Sequence, residues 1–155
     1  MRKTAINGHS ALKFFSENSK VQEQFAEHCF LKDLLFEAAT RNKEIAILTS
    51  HYDSFGYDLL LEYSKYRRKI QLKSTTNTKY WNVHKSLLED KAGRVVLIIL
   101  SEDINKIVQH YKIFNRNKTK AALSRPPKKS KDNKCKLIKS DFEDMGESIF
   151  KKIFT

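Results

Sequence analysis

The sequence predicts an α/β fold in which a mixed β-sheet lies between helices. Three observations support this prediction. Residues 20–41 carry apolar side chains at helical spacing. Three segments rich in aliphatic and β-branched residues follow at 44–50, 57–64 and 67–74, and they favour consecutive strands. A continuous apolar run at 94–101, "RVVLIILS", is typical of a strand that is covered on both faces.

The other segments complete the predicted order. A short helix is expected over 10–17, and "WNVHKSLLED" at 81–90 is expected to be helical. Ser101 is expected to cap a further helix. The apolar residues of that helix are Ile104, Ile107, Val108 and Tyr111. The core order is therefore αβββαβ, with a mixed sheet flanked by helices.

A C-terminal helix is also predicted. The Ser-x-x-Glu pattern at 140–143 is a capping box, which marks the start of a helix. The residues of this helix expected to face inward are Phe142, Met145, Ile149 and Ile153.

The chain of 155 residues is long enough for one domain, 1–155. It has 30 Lys and Arg against 18 Asp and Glu, a formal net charge of +12. This excess favours a polyanionic partner, nucleic acid before an anionic membrane surface.

No apolar run approaches the length needed to span a bilayer, and the first residues lack the apolar core of a signal peptide. Cys29 and Cys135 fit no Cys-x-x-Cys pattern, so reduced thiols in a cytoplasmic protein are expected.

Most of the positive charge lies in residues 112–139, which hold eleven Lys or Arg and one acid, Asp132. The segment contains two adjacent prolines and few apolar residues, so we predict a basic loop at about 115–139. Lys128, Lys129 and Lys131 are its expected phosphate contacts. A solvated loop that aids solubility and a nuclear-import signal are the alternatives.

The stretch "GYDLLLEYSKYRRKIQLKST" at 56–75 places polar side chains within a predicted sheet. Side chains alternate across a strand, and a hairpin closed about Lys65-Tyr66 would put Asp58 opposite Lys73, with Gln71 beside them. A carboxylate and an amide oxygen can hold a cation such as Mg²⁺, and a lysine can stabilise negative charge on a phosphate. The alternative is a structural Asp58–Lys73 salt bridge with Gln71 as a bystander.

A further carboxylate comes from the long helix. At 100° per residue, Glu27 falls in the centre of the apolar stripe, on the line of Leu34, where an unpaired carboxylate is unfavourable. A cation, a water or a lysine is expected to compensate it. Glu37 lies nearer the boundary of the stripe. The alternative for Glu27 is that this end of the helix frays into solvent.

The series Glu27, Asp58 and Gln71-x-Lys73, in its αβββαβ order, resembles the PD-(D/E)XK nuclease superfamily, which has the restriction-endonuclease-like fold. The resemblance covers about residues 20–100 and is a Gln-x-Lys variant of the motif. It implies Mg²⁺ or Mn²⁺ as cofactor, with Asp58 as the primary metal ligand and the carbonyl of Leu72 as a further ligand.

The same resemblance implies the remaining roles. Gln71 stands where the family usually has Asp or Glu, so one negative charge is missing and weaker metal binding is expected. Lys73 corresponds to the lysine near the attacking water. Glu27 would hold a metal-coordinated water or a second ion. The Pro-Asp pair is absent, and Glu37 and Asp53 remain alternative acids.

Segments beyond this strand lie against DNA in many relatives. The resemblance therefore implies phosphate contacts from "STTNTK". The residues concerned are Ser74, Thr75, Thr76, Asn77 and Lys79. Tyr80 and Trp81 either stack on a base or pack in the core. His51 and His84 fit no metal-ligand spacing.

Two functions follow as hypotheses. The first is a divalent-metal-dependent DNA endonuclease. The alternative, which Gln71 motivates, is a catalytically weak or inactive DNA-binding module of the same fold within a larger DNA-processing or defence complex. RNA ranks behind DNA because no RNA-recognition motif is present. For a chain this small, the same resemblance implies that action on both DNA strands uses a homodimer or a larger symmetric assembly.

Overall fold

The computed structural model describes residues 10–50, 56–104, 106–127 and 133–155. The helices of these residues are α1 (Ala11–Glu17), α2 (Ser19–Thr40), α3 (Lys85–Glu89), α4 (Thr119–Leu123) and α5 (Ile149–Phe154). The strands are β1 (Ala46–Thr49), β2 (Leu59–Tyr63), β3 (Tyr66–Thr75), β4 (Tyr80–His84), β5 (Gly93–Asp103), β6 (Lys106–Phe114), β7 (Lys134–Ile138) and β8 (Phe142–Asp144).

Six of the strands form one mixed sheet in the order β1-β2-β3-β5-β6-β8. Strands β3 and β5 are parallel, and the other neighbours in this sheet are antiparallel. The connection between β3 and β5 contains β4 and α3, since parallel neighbours need a crossover. Strands β4 and β7 pair separately as a two-stranded antiparallel sheet. The predicted α/β fold with a mixed sheet and flanking helices is confirmed.

Each face of the large sheet has its own apolar layer. Helix α2 buries Phe30 and Leu34 against one face, to which β5 contributes Val96 and Ile98, and α5 packs on the same side. On the opposite face, the odd-numbered residues of β5 pack against the β4–β7 sheet. Strand β5 is therefore covered on both faces, as its continuous apolar run predicted.

Residues 106–114 form strand β6, so the predicted helix after Ser101 is wrong. Strand β6 pairs with β5 from Asp103↔Lys106 to Val96↔Ile113. Ile107 and Tyr111 are four residues apart, a spacing that places them on one side of a helix and also on one face of a strand. The pairing with β5 satisfies the backbone and decides between the two.

Two further helix predictions need correction. Residues 81–90 begin as a strand, β4, and become helical in α3. The final helix begins after Ser148, whose hydroxyl accepts a hydrogen bond from the Lys151 N–H at 3.1 Å. The predicted cap at 140–143 fails because the Asp141 carboxylate binds the Arg125 guanidinium at 2.6 and 2.7 Å, and the following residues form β8.

The basic segment is not one loop, so that prediction is also wrong. Residues 115–139 contain a 3-10 turn at Arg116–Lys118, helix α4 and strand β7. Cys135 and Leu137 of β7 are buried, and this alternation with lysines is the reason a strand forms. Lys128, Lys129 and Lys131 lie outside the described residues. Among the described helices, none is long and apolar enough to cross a membrane.

Candidate active site

The β2–β3 hairpin turns one position earlier than predicted, which shifts the pairing of its two strands by two residues. Tyr63 pairs with Tyr66, so the turn residues are Ser64 and Lys65, and Ser64 has a φ of 54°. Continuing this register places Asp58 opposite Gln71, and the predicted Asp58–Lys73 pairing is wrong. A shift of two residues leaves every side chain on its predicted face, so the polar side chains still lie on one side of the hairpin.

Asp58 is held by both side-chain and backbone hydrogen bonds. Its Oδ2 accepts hydrogen bonds from Gln71 Nε2 at 2.8 Å and from the Leu72 N–H at 2.7 Å. Its own N–H donates to the Ile70 carbonyl at 2.8 Å. These contacts fix the carboxylate at the start of β2, next to the centre of β3.

Burial raises the pKa of the Asp58 carboxyl above its ordinary value. The Leu72 N–H and the positive charge of Lys73 lower this pKa, but Glu27 and Glu23 raise it further. A poorly solvated carboxylate beside two others is a typical feature of functional sites, and a cation would relieve the repulsion.

The four predicted catalytic residues line one cavity of about 490 Å³. They are Glu27, Asp58, Gln71 and Lys73. Three elements contribute them: α2, the residue before β2, and the second half of β3. The chain therefore brings together residues that are up to 46 positions apart in the sequence.

Helix α2 contributes two carboxylates, Glu23 and Glu27, to the lining of this cavity. The centre of its buried face is Ala26, Phe30 and Leu34, so the prediction that Glu27 is central was wrong by one position. Glu27 is half-buried, and Glu23, one turn earlier, also lines the cavity. Sequence reasoning missed Glu23, although its spacing of four residues from Glu27 places both on one side of the helix.

Polar contacts near both ends of α2 help to fix its position. Near its start, Gln22 Nε2 donates to Ser74 Oγ at 3.1 Å, which holds the helix over the end of β3. Near its other end, Glu37 accepts hydrogen bonds from the Ser148 hydroxyl and from the Phe150 N–H. Glu37 thus binds the start of α5. Of the two alternative helix carboxylates, Glu27 and Glu37, it is Glu27 that lines the cavity. Asp53, the other alternative acid, lies outside the described residues.

The opposite wall of the cavity comes from the two-stranded sheet. Pairing of β4 with β7 places His84 opposite Lys134, and both side chains line the cavity. Gly56 has a φ of 71°, and a Cβ there would lie 2.7 Å from the Cβ of His84. A glycine is therefore required two residues before Asp58. Sequence reasoning assigned His84 no role and placed Lys134 in a loop.

The residues predicted to contact DNA have different environments. The Ser74 hydroxyl accepts from Gln22, and Thr75 is 4 % exposed, with its Oγ1 accepting from the Thr78 N–H at 2.6 Å. Asn77 and Lys79 are exposed and line a second cavity of about 500 Å³.

The two aromatic residues of β4 also differ from each other. Trp81 packs edge-on against Phe142, with ring centroids 5.5 Å apart, as its core-packing interpretation predicted. Tyr80 is 39 % exposed, and the ammonium of Lys136 lies 5.7 Å from its ring centroid.

The ligands expected for a metal are two carboxylates, an amide and a backbone carbonyl. Within the described ranges, no group of three or more His, Cys, Asp or Glu side chains is arranged to hold a metal ion. Because Gln71 stands in place of an acid, the cavity has one acidic side chain fewer at that position. The four expected ligands all offer hard oxygen atoms, the kind that Mg²⁺ prefers. The pKa of the Asp58 carboxyl is raised chiefly by burial and further by Glu27 and Glu23, and a divalent cation in this cavity would offset that repulsion.

Comparisons of this chain with protein-family models, with curated proteins and with solved structures found no match.

Proposed function

We propose that the protein is a divalent-metal-dependent DNA endonuclease with a restriction-endonuclease-like core of the PD-(D/E)XK type. The observation that carries the proposal is that Glu27, Asp58, Gln71 and Lys73 line one cavity. The αβββ order and the parallel β3–β5 pair also support it.

Asp58, Gln71 and the Leu72 carbonyl would hold Mg²⁺ or Mn²⁺, with Glu27 on the α2 side. When bound, the cation supplies Lewis-acid stabilisation of the phosphate and an activated water at neutral pH. Two hydrogen bonds hold the Asp58 carboxylate in a fixed orientation before the substrate arrives. This pre-organisation favours catalysis, since little rearrangement is needed during the reaction.

Lys73 provides positive charge next to Asp58 in the site. It lies close enough to Asp58 for its charge to lower the pKa of that carboxyl. In hydrolysis, water loses a proton as its oxygen bonds to phosphorus, the bond from phosphorus to one sugar oxygen breaks, and that oxygen takes up a proton and leaves as an alcohol. Negative charge grows on the non-bridging phosphate oxygens during this exchange. The ammonium of Lys73 stabilises that charge.

The DNA backbone would be bound along the wall formed by β4 and β7. Lys134 lines the cavity, and Lys136 lies beside the exposed ring of Tyr80. Lysines in such positions neutralise phosphates without reading sequence. The chain's net charge of +12 favours the same partner. A homodimer acting on both strands remains a prediction.

The experiment is cleavage of plasmid and branched DNA with Mg²⁺, Mn²⁺ or EDTA. Wild type is expected to cleave with either metal, and Asp58→Ala should lose at least about 100-fold in rate. Asp144→Ala is the matched control, because Asp144 is an exposed aspartate on β8 that does not line the cavity. Full activity of a folded Asp58→Ala protein would refute the proposal.

One observation favours a second candidate, a DNA-binding module without chemistry. Gln71 directs its amide nitrogen to Asp58 at 2.8 Å, where a nuclease of this type usually has a second acid. DNA binding that is unchanged by EDTA, with no cleavage of any substrate by the wild type, would favour this module over the endonuclease.

A further inference from the structure

The cavity of the proposed active site is lined by a histidine to which the metal chemistry assigns no role. His84 is the last residue of β4 and is half-buried. It lines the cavity of about 490 Å³ together with Asp58, Gln71 and Lys73. Among the described residues of this lining it is the only histidine. Imidazole is the side chain that gives and takes a proton most readily near neutral pH.

Contacts on two sides fix the imidazole ring of His84. A Cβ added to Gly56 would lie 2.7 Å from the His84 Cγ and 2.8 Å from its Cδ2, so this edge of the ring lies against the Gly56 backbone. On another side, the side-chain nitrogen of Asn133 lies 3.5 Å from His84 Nδ1. Asn133 is itself held beside β4, because its main-chain oxygen accepts from the Lys85 N–H at 2.9 Å. The ring therefore has a defined position before substrate binds, as proton transfer in an active site requires.

This position lies close to the proposed metal ligands and on a different wall of the cavity. Gly56 precedes Asp58 by two residues, a span of at most about 7 Å. Gln71 belongs to β3 of the large sheet, whereas His84 belongs to the β4–β7 sheet. A phosphate held at Asp58 and Gln71 would therefore have the imidazole on the side of the β4–β7 wall.

Hydrolysis of a phosphodiester needs proton transfer on both sides of the phosphorus. The attacking water and the departing sugar oxygen lie roughly in line, with the phosphorus between them. Asp58 and Gln71 would hold the cation on the side of the attacking water. The departing oxygen needs a proton to leave as an alcohol, and a positioned acid typically accelerates such a step by about 10²–10⁴-fold. That acid must come from a group on the side away from the water.

We propose that His84 is a catalytic residue that protonates the departing sugar oxygen. The imidazolium gives a proton to that oxygen as its bond to phosphorus breaks, and the sugar leaves as an alcohol. The attacking water gives its proton to solvent, and the imidazole takes a proton from solvent, which restores the acid. This inference rests on the proposed function, because it assigns a further step of the same reaction to the same site.

Lys134 is a second group on this wall that carries protons. It pairs with His84 across β4 and β7, and it also lines the cavity. An ammonium holds its proton more tightly than an imidazolium at neutral pH, so it suits the neutralisation of a phosphate better than the protonation of a leaving group. The test therefore includes Lys134→Met, which removes the ammonium.

The test compares normal DNA with DNA that carries a bridging sulfur in place of the departing oxygen. The sulfur is placed at the phosphate that wild type cleaves in the normal oligonucleotide, at the 3′ position in one substrate and at the 5′ position in another, so that both possible leaving groups are covered. Thiols ionise at about pH 8.5, so a thiolate leaves without being protonated, whereas an alkoxide does not. Single-turnover rates are measured in Mg²⁺ and in Mn²⁺.

His84→Ala should cleave normal DNA at least about 100-fold more slowly than wild type, but should cleave one of the sulfur-bridged substrates at close to the wild-type rate. His84→Gln keeps a polar side chain that cannot give up a proton, and it should show the same pattern. Lys134→Met should slow all substrates by the same factor, since its charge serves binding. His28→Ala, at an exposed histidine of α2 outside the cavity, is the matched control and should cleave every substrate at the wild-type rate.

Thermal unfolding and DNA binding in EDTA verify that each variant is folded. Cleavage of normal DNA by His84→Ala at the wild-type rate would overturn this inference and leave the endonuclease intact. An equal loss on all substrates would also overturn it, because His84 would then act in binding or folding. Rescue by sulfur in Lys134→Met alone would overturn it in favour of Lys134. Absence of any cleavage by wild type with either metal would refute both this inference and the proposed function.

Discussion

Replacing Asp58 with Asn should stabilise the protein at neutral pH while weakening the proposed metal site. The pKa of the Asp58 carboxyl is raised from its ordinary value of 3.8, chiefly by burial. A raised pKa means that the ionised carboxylate is less favourable in the folded state than in the unfolded chain. The stability that this group contributes is fully present below pH 3.8 and is lost as the pH rises through the folded-state pKa.

The size of the effect follows from what Asn can retain. Its side-chain oxygen can accept the same hydrogen bonds from Gln71 Nε2 and the Leu72 N–H, now at 2.8 and 2.7 Å. What disappears is a half-buried charge that lies near Glu23 and Glu27. We expect a gain of about 1 kcal/mol in the free energy of unfolding at pH 7, within the range of other stabilising substitutions. For a chain of 155 residues, this raises Tm by about 2–4 °C.

The assay is thermal unfolding of wild type and Asp58→Asn, followed by circular dichroism from pH 3 to pH 8. Plotted against pH, the Tm values of the two proteins should converge near pH 3.8, the ordinary pKa of the carboxyl, and separate as the pH rises. Saturating Mg²⁺ should raise the Tm of wild type more than that of Asp58→Asn, because only the wild type retains the proposed Asp58 carboxylate ligand. The exposed Asp144, whose pKa is lowered by His110 and Lys112, is the control, and Asp144→Asn should not be stabilising. A variant less stable than wild type at pH 7, or a difference independent of pH, would refute the reasoning.

Three further substitutions test the site and its support. Asp141→Asn should lower the free energy of unfolding by about 2–3 kcal/mol, measured by urea titration at pH 7, because it breaks the buried pair with Arg125; the pKa of Asp141 is lowered, so this loss should shrink as the pH falls through that pKa. Gln71→Glu should lower Tm without metal, by repulsion with Asp58, and should tighten Mg²⁺ binding about tenfold in calorimetry; unchanged affinity would mean that residue 71 is no ligand. Gly56→Ala should lower stability by about 1–3 kcal/mol, because its φ of 71° and the contact with His84 leave no room for a Cβ; a wild-type Tm would contradict this.

The sequence predicted the structure correctly where the spacing of apolar residues fitted only one kind of secondary structure. The apolar stripe of α2 and the apolar run of β5 predicted a helix and a strand covered on both faces, and both are buried in this way. The faces of the β2–β3 hairpin were also predicted correctly. Its register was not, since Ser64 in the left-handed region was not foreseen as a turn residue.

Elements that depend on distant pairing could not be predicted in this way. The spacing of Ile107 and Tyr111 fits both a helix and a strand, and the pairing with β5 decided for β6. In strand β7, "KCKLI", lysines alternate with apolar residues as in a half-buried strand. The many charged residues around this segment favoured the prediction of a loop instead. Its pairing with β4 brought Lys134 and His84 to the cavity, a contact between residues 50 positions apart that local patterns do not show.

The most direct test of the central claim is the rate of DNA cleavage by Lys73→Met in Mg²⁺. Methionine keeps most of the apolar stem and removes the charge, so the fold should persist, as unfolding in the same buffer would verify. Lys32→Met, at an exposed lysine of α2 outside the cavity, is the matched control. If the cavity is a nuclease site, wild type and Lys32→Met cleave DNA in Mg²⁺ and are inactive in EDTA, and Lys73→Met loses at least about 100-fold in rate. Cleavage by Lys73→Met at the wild-type rate would contradict the account.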